Sequence, residues 1–246
     1  MRLAELLAEV AAGRFPPPDG EVTVLPQPSA RDAGVLSFTA HTVVFTDEDP
    51  AWVRAQIPAG DLSAPLLPQF LQAICLRTGR RVNNIDLLCV TTPLAGPPPL
   101  RLIPLAETVG SGAAAGRSQP AGAALPTQTV MAAPPATPAP VRPPTHPRLA
   151  RALRYRDEIR AWTTPGGILL LGRGVAGRWE IAVEVDPGCR GQGLGRELAT
   201  AGRHLMPEGA PLWAQIAPGN AASVRTFLAA GYQPVGAEAL LPLVTP

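Results

Sequence analysis

The sequence predicts an α/β chain in two parts: a small N-terminal α/β domain over residues 1–98 and a larger α/β domain over residues 99–246. Three observations predict it. Short apolar or alternating runs recur between amphipathic helical patterns along most of the chain. A glycine-rich turn, Asp186-Pro187-Gly188-Cys189-Arg190-Gly191-Gln192-Gly193-Leu194-Gly195, joins an alternating segment to a helical one. Composition shifts over residues 107–145 to Ala, Pro, Gly, Ser and Thr with no aromatic residue. Such a stretch cannot bury enough apolar surface to offset its ordering entropy, so it reads as a disordered linker or insertion.

The elements follow in chain order. Leu3, Leu6, Leu7 and Val10 form the apolar face of an N-terminal helix whose Glu5 and Glu9 break any secretory apolar core. Val22–Leu25, Val35–Phe38 and Thr42–Phe45 read as short strands. Asp49-Pro50 caps and opens a helix running to about Ile57. Leu66, Phe70, Ile74 and Arg77 mark a second helix closed by Gly79, and Asp86–Val90 is a strand. His41, between two strand candidates, is a candidate base or ligand beside its plainer reading as a partly buried structural histidine. Leu100–Leu105 is strand-like, His146–Ile159 helical, and Gly167–Leu171 and Trp179–Val185 are strands. Leu194, Leu198, Ala201 and Leu205 then line one helix face. Leu212–Ile216 is a strand, and Asn220 caps a helix carrying Val224, Phe227 and Leu228 and closed by Gly231. Tyr232–Val235 and Ala239–Leu243 read as the last strands, the second at a sheet edge.

A strand, a glycine turn and a helix start make an anion site, because free backbone N–H groups and the helix dipole favour negative charge. Gly191, Gly193 and Gly195 let a phosphate approach the backbone, and Arg190 adds a charged donor. There is no Gly-Lys-Ser/Thr, which excludes a nucleotide-triphosphate loop, and the spacing does not fit the dinucleotide fingerprint.

The turn resembles motif A of the GNAT acyl-coenzyme A N-acyltransferases, Arg/Gln-x-x-Gly-x-Gly/Ala after a strand ending in Val-x-Pro. Arg190, Gly193 and Gly195 fall on its defining positions, Val185 and Pro187 on the flanking ones. Asn220-Ala221-Ala222-Ser223 with Gly231-Tyr232 resembles motif B of the same family. The resemblance implies a mixed central sheet flanked by helices, its first strand near Leu100 and the low-complexity tract inserted after it. It implies acetyl-CoA as donor and an amine as acceptor, with direct transfer. The pyrophosphate would lie on the N–H groups of Gly191, Gln192, Gly193, Leu194, Gly195 and Arg196. Val183 or Val185 would offer a backbone N–H to the thioester carbonyl, and Asn220, with Ser223 and Phe227 on its helix, would flank the pantetheine arm.

Catalytic groups are harder to place. Glu184, then Glu180, are the candidate bases on the central strand, with exposed surface charge as their plainer reading. Phe227 stands where many family members carry a tyrosine that protonates the departing thiolate. Tyr232 is the candidate substitute donor, alongside water. An acyl-CoA-binding sensor or interaction module on the same scaffold is therefore the alternative to an enzyme.

Composition bounds the rest. All 21 basic residues are arginine and the net charge is only +2. Arginine without lysine, with abundant Ala, Pro and Gly, points to GC-rich coding and a bacterial source of actinobacterial type. No concentrated basic patch and only 4% aromatic residues argue against a nucleic-acid binder. No apolar run approaches the roughly 18 residues of a membrane span. Cys75, Cys89 and Cys189 are widely spaced and read as buried free thiols, with no metal-ligand pattern. The expectation is a cytoplasmic monomer or homodimer.

Overall fold

The computed structural model describes residues 1–105, 147–206 and 209–244. The tract read as a linker, residues 107–145, lies outside the described residues, as does His146. The N-terminal part runs α1 (Leu3–Ala11), β1 (Val22–Leu25), β2 (Gly34–Phe38), β3 (His41–Phe45), α2 (Pro50–Ala55), α3 (Pro68–Thr78) and β4 (Ile85–Thr91). Then come β5 (Ile103–Leu105), α4 (Pro147–Tyr155), β6 (Asp157–Thr164), β7 (Gly167–Arg173), β8 (Trp179–Val185), α5 (Leu194–His204), β9 (Leu212–Ile216), α6 (Ala221–Ala229) and β10 (Gln233–Leu240).

The ten strands form one mixed sheet in the order β1-β3-β2-β10-β4-β9-β8-β7-β6-β5. The stretches on either side of residue 98 share this sheet rather than building one each. β4 lies between β9 and β10, and β10 lies between β4 and β2, antiparallel to both. β10, the last strand among the described residues, is therefore interior. Pro234 and Gly236 split its pattern into two apparent strands; a bulge between them keeps it one.

Alternation along the strands sorts the core onto two faces. Leu169, Leu171, Ile181, Leu212 and Ala214 pack on α5 and α6, and Val35, Val44 and Ala239 pack on α3. On the other face α1 covers Leu36, Val43, Leu88 and Trp213, and α4 covers Ile159, Ala161, Ile168 and Leu170. Gly202 sets the closeness of α5: a Cβ there would come within 2.4 Å of Ile181 Cδ1.

Two further expectations need correction. The helix expected over His146–Ile159 ends at Tyr155, and Ile159 belongs to β6, a strand with exposed charges at Asp157, Glu158 and Arg160 that masked its alternation. Of the three free thiols only Cys89 is buried; Cys75 and Cys189 are part-exposed. Burial raises the Cys89 thiol to about 11. His41 is a satisfied core residue, with Nδ1 at 2.8 Å from Asp19 Oδ1 and Nε2 at 3.0 Å from Thr23 Oγ1.

Candidate active site

The site begins where β8 leaves β9. The parallel ladder between them covers Trp179↔Leu212 and Glu180↔Trp213 and goes no further, while β8 stays paired with β7 to Val185. Asp186 N–H donates to Gly166 C=O at 2.8 Å, which continues that antiparallel ladder. Amide direction alternates along such a strand, so Glu184 and Ala182 also turn toward β7. Val183 and Val185 turn the other way, into the gap that β9 has vacated.

The strand runs into the glycine turn. Gly191 and Gly193 have φ of 77° and 89°, a left-handed backbone that favours glycine, and Gly193 is the N-cap of α5. The Gly193 carbonyl accepts from Arg196 at 2.9 Å and Glu197 at 3.2 Å, so the Arg196 N–H expected at the pyrophosphate is engaged within the helix start, while Leu194 and Gly195 ahead of it have no preceding helix carbonyl to bind. Across the gap, Asn220 caps α6 by accepting from Ser223 N–H at 3.1 Å. The two helix starts thus flank one cleft.

That cleft encloses about 680 Å³. It brings together nearly every donor-site residue expected from the sequence: Val183, Val185, Arg190, Gly191, Gly193, Leu194, Gly195, Arg196, Asn220, Ser223 and Phe227, together with Glu184. Arg190 lies at its mouth with Nε donating to the Val185 carbonyl at 3.2 Å. Gln192 differs. Its side chain folds back, Nε2 donating to the Gly188 carbonyl at 3.4 Å, and braces the loop instead of lining the cleft.

Glu184 is half-exposed, and its Oε2 lies 2.7 Å from Arg148 Nε of α4. Glu180 is placed elsewhere. It is buried, with Arg156 and Arg178 each at 2.9 Å, and Arg178 continues to buried Glu238 at 2.6 Å. Burial pushes the Glu180 carboxyl up, but Arg178 and Arg156 outweigh it and hold it below its ordinary value. A carboxylate so engaged cannot collect a proton from an amine, which corrects the reading of Glu180 as a base. Tyr232 needs the same correction: its hydroxyl donates to the Ala199 carbonyl at 3.1 Å in the core, and burial raises its pKa. Its ring sits edge-on to Phe227 at 4.9 Å, so Phe227 separates the phenol from the cleft it lines.

Sequence reasoning missed Arg148, Cys189, Ala222, Arg225, Thr226 and Ala229, all of which line the cleft. Four of them, Ala222, Arg225, Thr226 and Ala229, recur at helical spacing on α6, a period that identifies the cleft-facing side once Asn220 is taken as its cap. Arg148 had no such signal, because it adjoins the low-complexity tract and its partner Glu184 is distant in sequence. Among the described residues, no group of three or more His, Cys, Asp or Glu side chains is arranged to hold a metal, and no helix is long and apolar enough to cross a membrane.

No curated protein matches this chain. Among solved structures, a GCN5-related N-acetyltransferase from Kribbella flavida aligns over 99% of this chain and 95% of its own, at 14% identity and a TM-score of 0.39. Residues 159–232 match the family model of the acetyltransferase (GNAT) family. That span runs from β6 through the splayed strands, the glycine turn and α6, so the C-terminal part of the chain carries a GNAT-family domain.

Proposed function

We propose that the protein is an N-acetyltransferase that moves an acetyl group from acetyl-CoA to the amine of a small molecule or peptide by direct transfer. The observation that carries this reading is the cleft at the β8–β9 divergence, with the Gly191–Gly193 turn and the α5 start at one end and an outward-facing Val183 amide beside it. The turn and Arg190 suit a pyrophosphate. The Val183 N–H suits an oxygen that gains negative charge, since it is aimed in advance and needs no reorganisation.

In the reaction the amine nitrogen attacks the thioester carbonyl carbon, the C–S bond breaks, and the nitrogen proton ends on the coenzyme A sulfur. Glu184 is the carboxylate beside the gap and takes the role of base, held in place by Arg148. With Tyr232 committed to Ala199 and Phe227 apolar, water carries the proton to sulfur. A free thiol has a pKa of about 8.5, so that protonation need not limit the rate. The working setting is the cytoplasm of a bacterium, as monomer or homodimer, with neither nucleic acid nor membrane as partner.

Phe227 favours a second reading, an acyl-CoA-binding module without turnover. Calorimetric titration with acetyl-CoA, followed by thiol detection of released CoA across an amine panel, separates the two. Binding with release supports the transferase; binding with no release from any amine supports the module. An absence of binding would reject both.

A further inference from the structure

Behind the gap, on the face of the sheet covered by α1 and α4, lies a second pocket. Both parts of the chain build it: Arg31, Asp32 and Asn83 come from before residue 98, and Arg151, Tyr155 and Gln215 from after it. It adjoins the donor cleft directly. Arg148 lines both, and Ala182 of the pocket is next to Val183 of the cleft on β8. The pocket therefore lies beside the point where the β8–β9 ladder ends.

The charges of the pocket are unbalanced. Its wall holds Arg31, Arg148, Arg151 and Arg156 against two carboxylates, Asp32 and Glu180. Both carboxylates are already engaged: Asp32 accepts from Arg31 at 3.0 Å and from Ser29 at 2.9 Å, and Glu180 sits between Arg156 and Arg178. Arg31 also reaches Asp157 at 3.2 Å, and Arg148 holds Glu184. Arg151 is different. It is exposed, donates to the amide oxygen of Asn83 at 3.2 Å and lies 6.0 Å from the Tyr155 ring centre. Asp86 feels its charge, but the carboxyl of Asp86 is hydrogen-bonded by Asn84 at 2.7 Å. Among the described residues no carboxylate is recorded within ion-pair distance of Arg151. Its planar fork is suited to a carboxylate, and Asn83 and Tyr155 orient it.

We propose that this pocket is the acceptor subsite and that it selects small amines that also carry a carboxylate, bound by Arg151 with Asn83 as its positioning residue. The inference rests on the transferase reading above and adds the acceptor class to it. A plain ammonium would meet a wall of net positive charge with its carboxylates occupied. An amine with a carboxylate a few bonds away supplies the missing partner. Arg148 and Arg151 lie one turn apart on one face of α4, about 5 Å along its axis, so an acceptor of amino-acid size bridges from Arg151 to the gap beside Glu184. The N-terminal part of the chain thereby acquires a role, since Asn83 and Arg31 shape the subsite.

The test uses the full chain, saturating acetyl-CoA, and free amino acids paired with their carboxamides at equal free-amine concentration. The wild type is expected to prefer the carboxylate member of its best pairs by about tenfold or more in kcat/KM, chiefly through KM. Arg151→Gln, at an exposed position, is expected to abolish most of that preference by raising KM for the carboxylate member far more than for its carboxamide. Carboxamides preferred by the wild type, or a preference unmoved by Arg151→Gln, would overturn the proposal. A calorimetric arm titrates N-acetyl amino acids into the CoA-loaded protein. Binding lost in Arg151→Gln, with no turnover of either series, upholds the subsite and rejects the transferase reading. Turnover of carboxamides alone, without binding of the N-acetyl amino acids, rejects the subsite and keeps the transferase.

Discussion

Replacing Arg178 by methionine should cost this fold a large share of its stability. Arg178 is 3% exposed and holds Glu180 at 2.9 Å and Glu238 at 2.6 Å, with both carboxylates at most 4% exposed. Methionine retains much of the packing but removes the cation. Glu180 keeps Arg156; Glu238 keeps only the side-chain amide of Gln215. Breaking a buried pair from one side costs about 3–5 kcal/mol, because a charge is left without its partner. Against a typical total of about 5–15 kcal/mol this is severe. The pH dependence has a definite sign. Burial holds Glu238 above its ordinary value, so its contribution is full below about pH 4.3 and is lost as pH rises through its folded pKa. Removing Arg178, which opposes that rise, deepens the loss at neutral pH. For Glu180, burial pushes up while Arg178 and Arg156 pull further down, so its contribution is present above about pH 4.3 and is lost as pH falls through its folded pKa. Both terms make the Arg178→Met deficit largest at neutral pH and smaller toward pH 4.5. Urea unfolding at a series of pH values measures it. Adding Glu238→Gln to the variant should recover at least about 1.5 kcal/mol, since the stranded charge is gone. A single-variant loss under about 1 kcal/mol, or no recovery in the double variant, would show that these charges are not coupled as the geometry requires.

Three further outcomes follow from the cleft. Gly193→Ala places a Cβ at φ 89°, a strain of about 1–2 kcal/mol, and is expected to weaken CoA binding by about tenfold in calorimetry, as is Arg190→Ala through loss of a charged donor. Glu184→Gln should lower the acetylation rate most at mildly acidic pH, where the amine is largely protonated; a uniform loss across pH would point to positioning instead. Tyr232→Phe should destabilise the protein by about 1 kcal/mol through the lost bond to Ala199 yet leave kcat unchanged, and a rate loss larger than the stability loss explains would restore Tyr232 as a donor.

The cleft was legible in the sequence because its parts are local. The alternation over Trp179–Val185, the glycines after it and the Asn220 cap each report on a few neighbouring residues, and the two helix starts then define one opening. Charges resisted the same treatment. Glu180 and Glu184 have the same spacing, the same strand and the same face, yet one is sealed among arginines and the other stands at the gap. What separates them is Arg178 and Glu238, and Glu238 lies on a strand that the sequence pattern broke in two.

The place of β4 explains both the failure and its consequence. A strand from the first hundred residues sits between β9 and β10, so the sheet behind the β8–β9 gap is completed by a segment far away in the chain. Such long-range pairing leaves no trace in local periodicity, which sees β4 only as a short apolar run. It also means that the gap where chemistry is expected is backed by the N-terminal part: Leu87 to Thr91 pair directly with β9, and Asn83 precedes them at the wall of the second pocket. A truncation at residue 98 would expose both edges left by β4 and remove Arg31, Asp32, Ala33 and Asn83 from that wall. The N-terminal part shares one sheet and the wall of the second pocket with the rest of the chain, and a search for its function starts at that pocket.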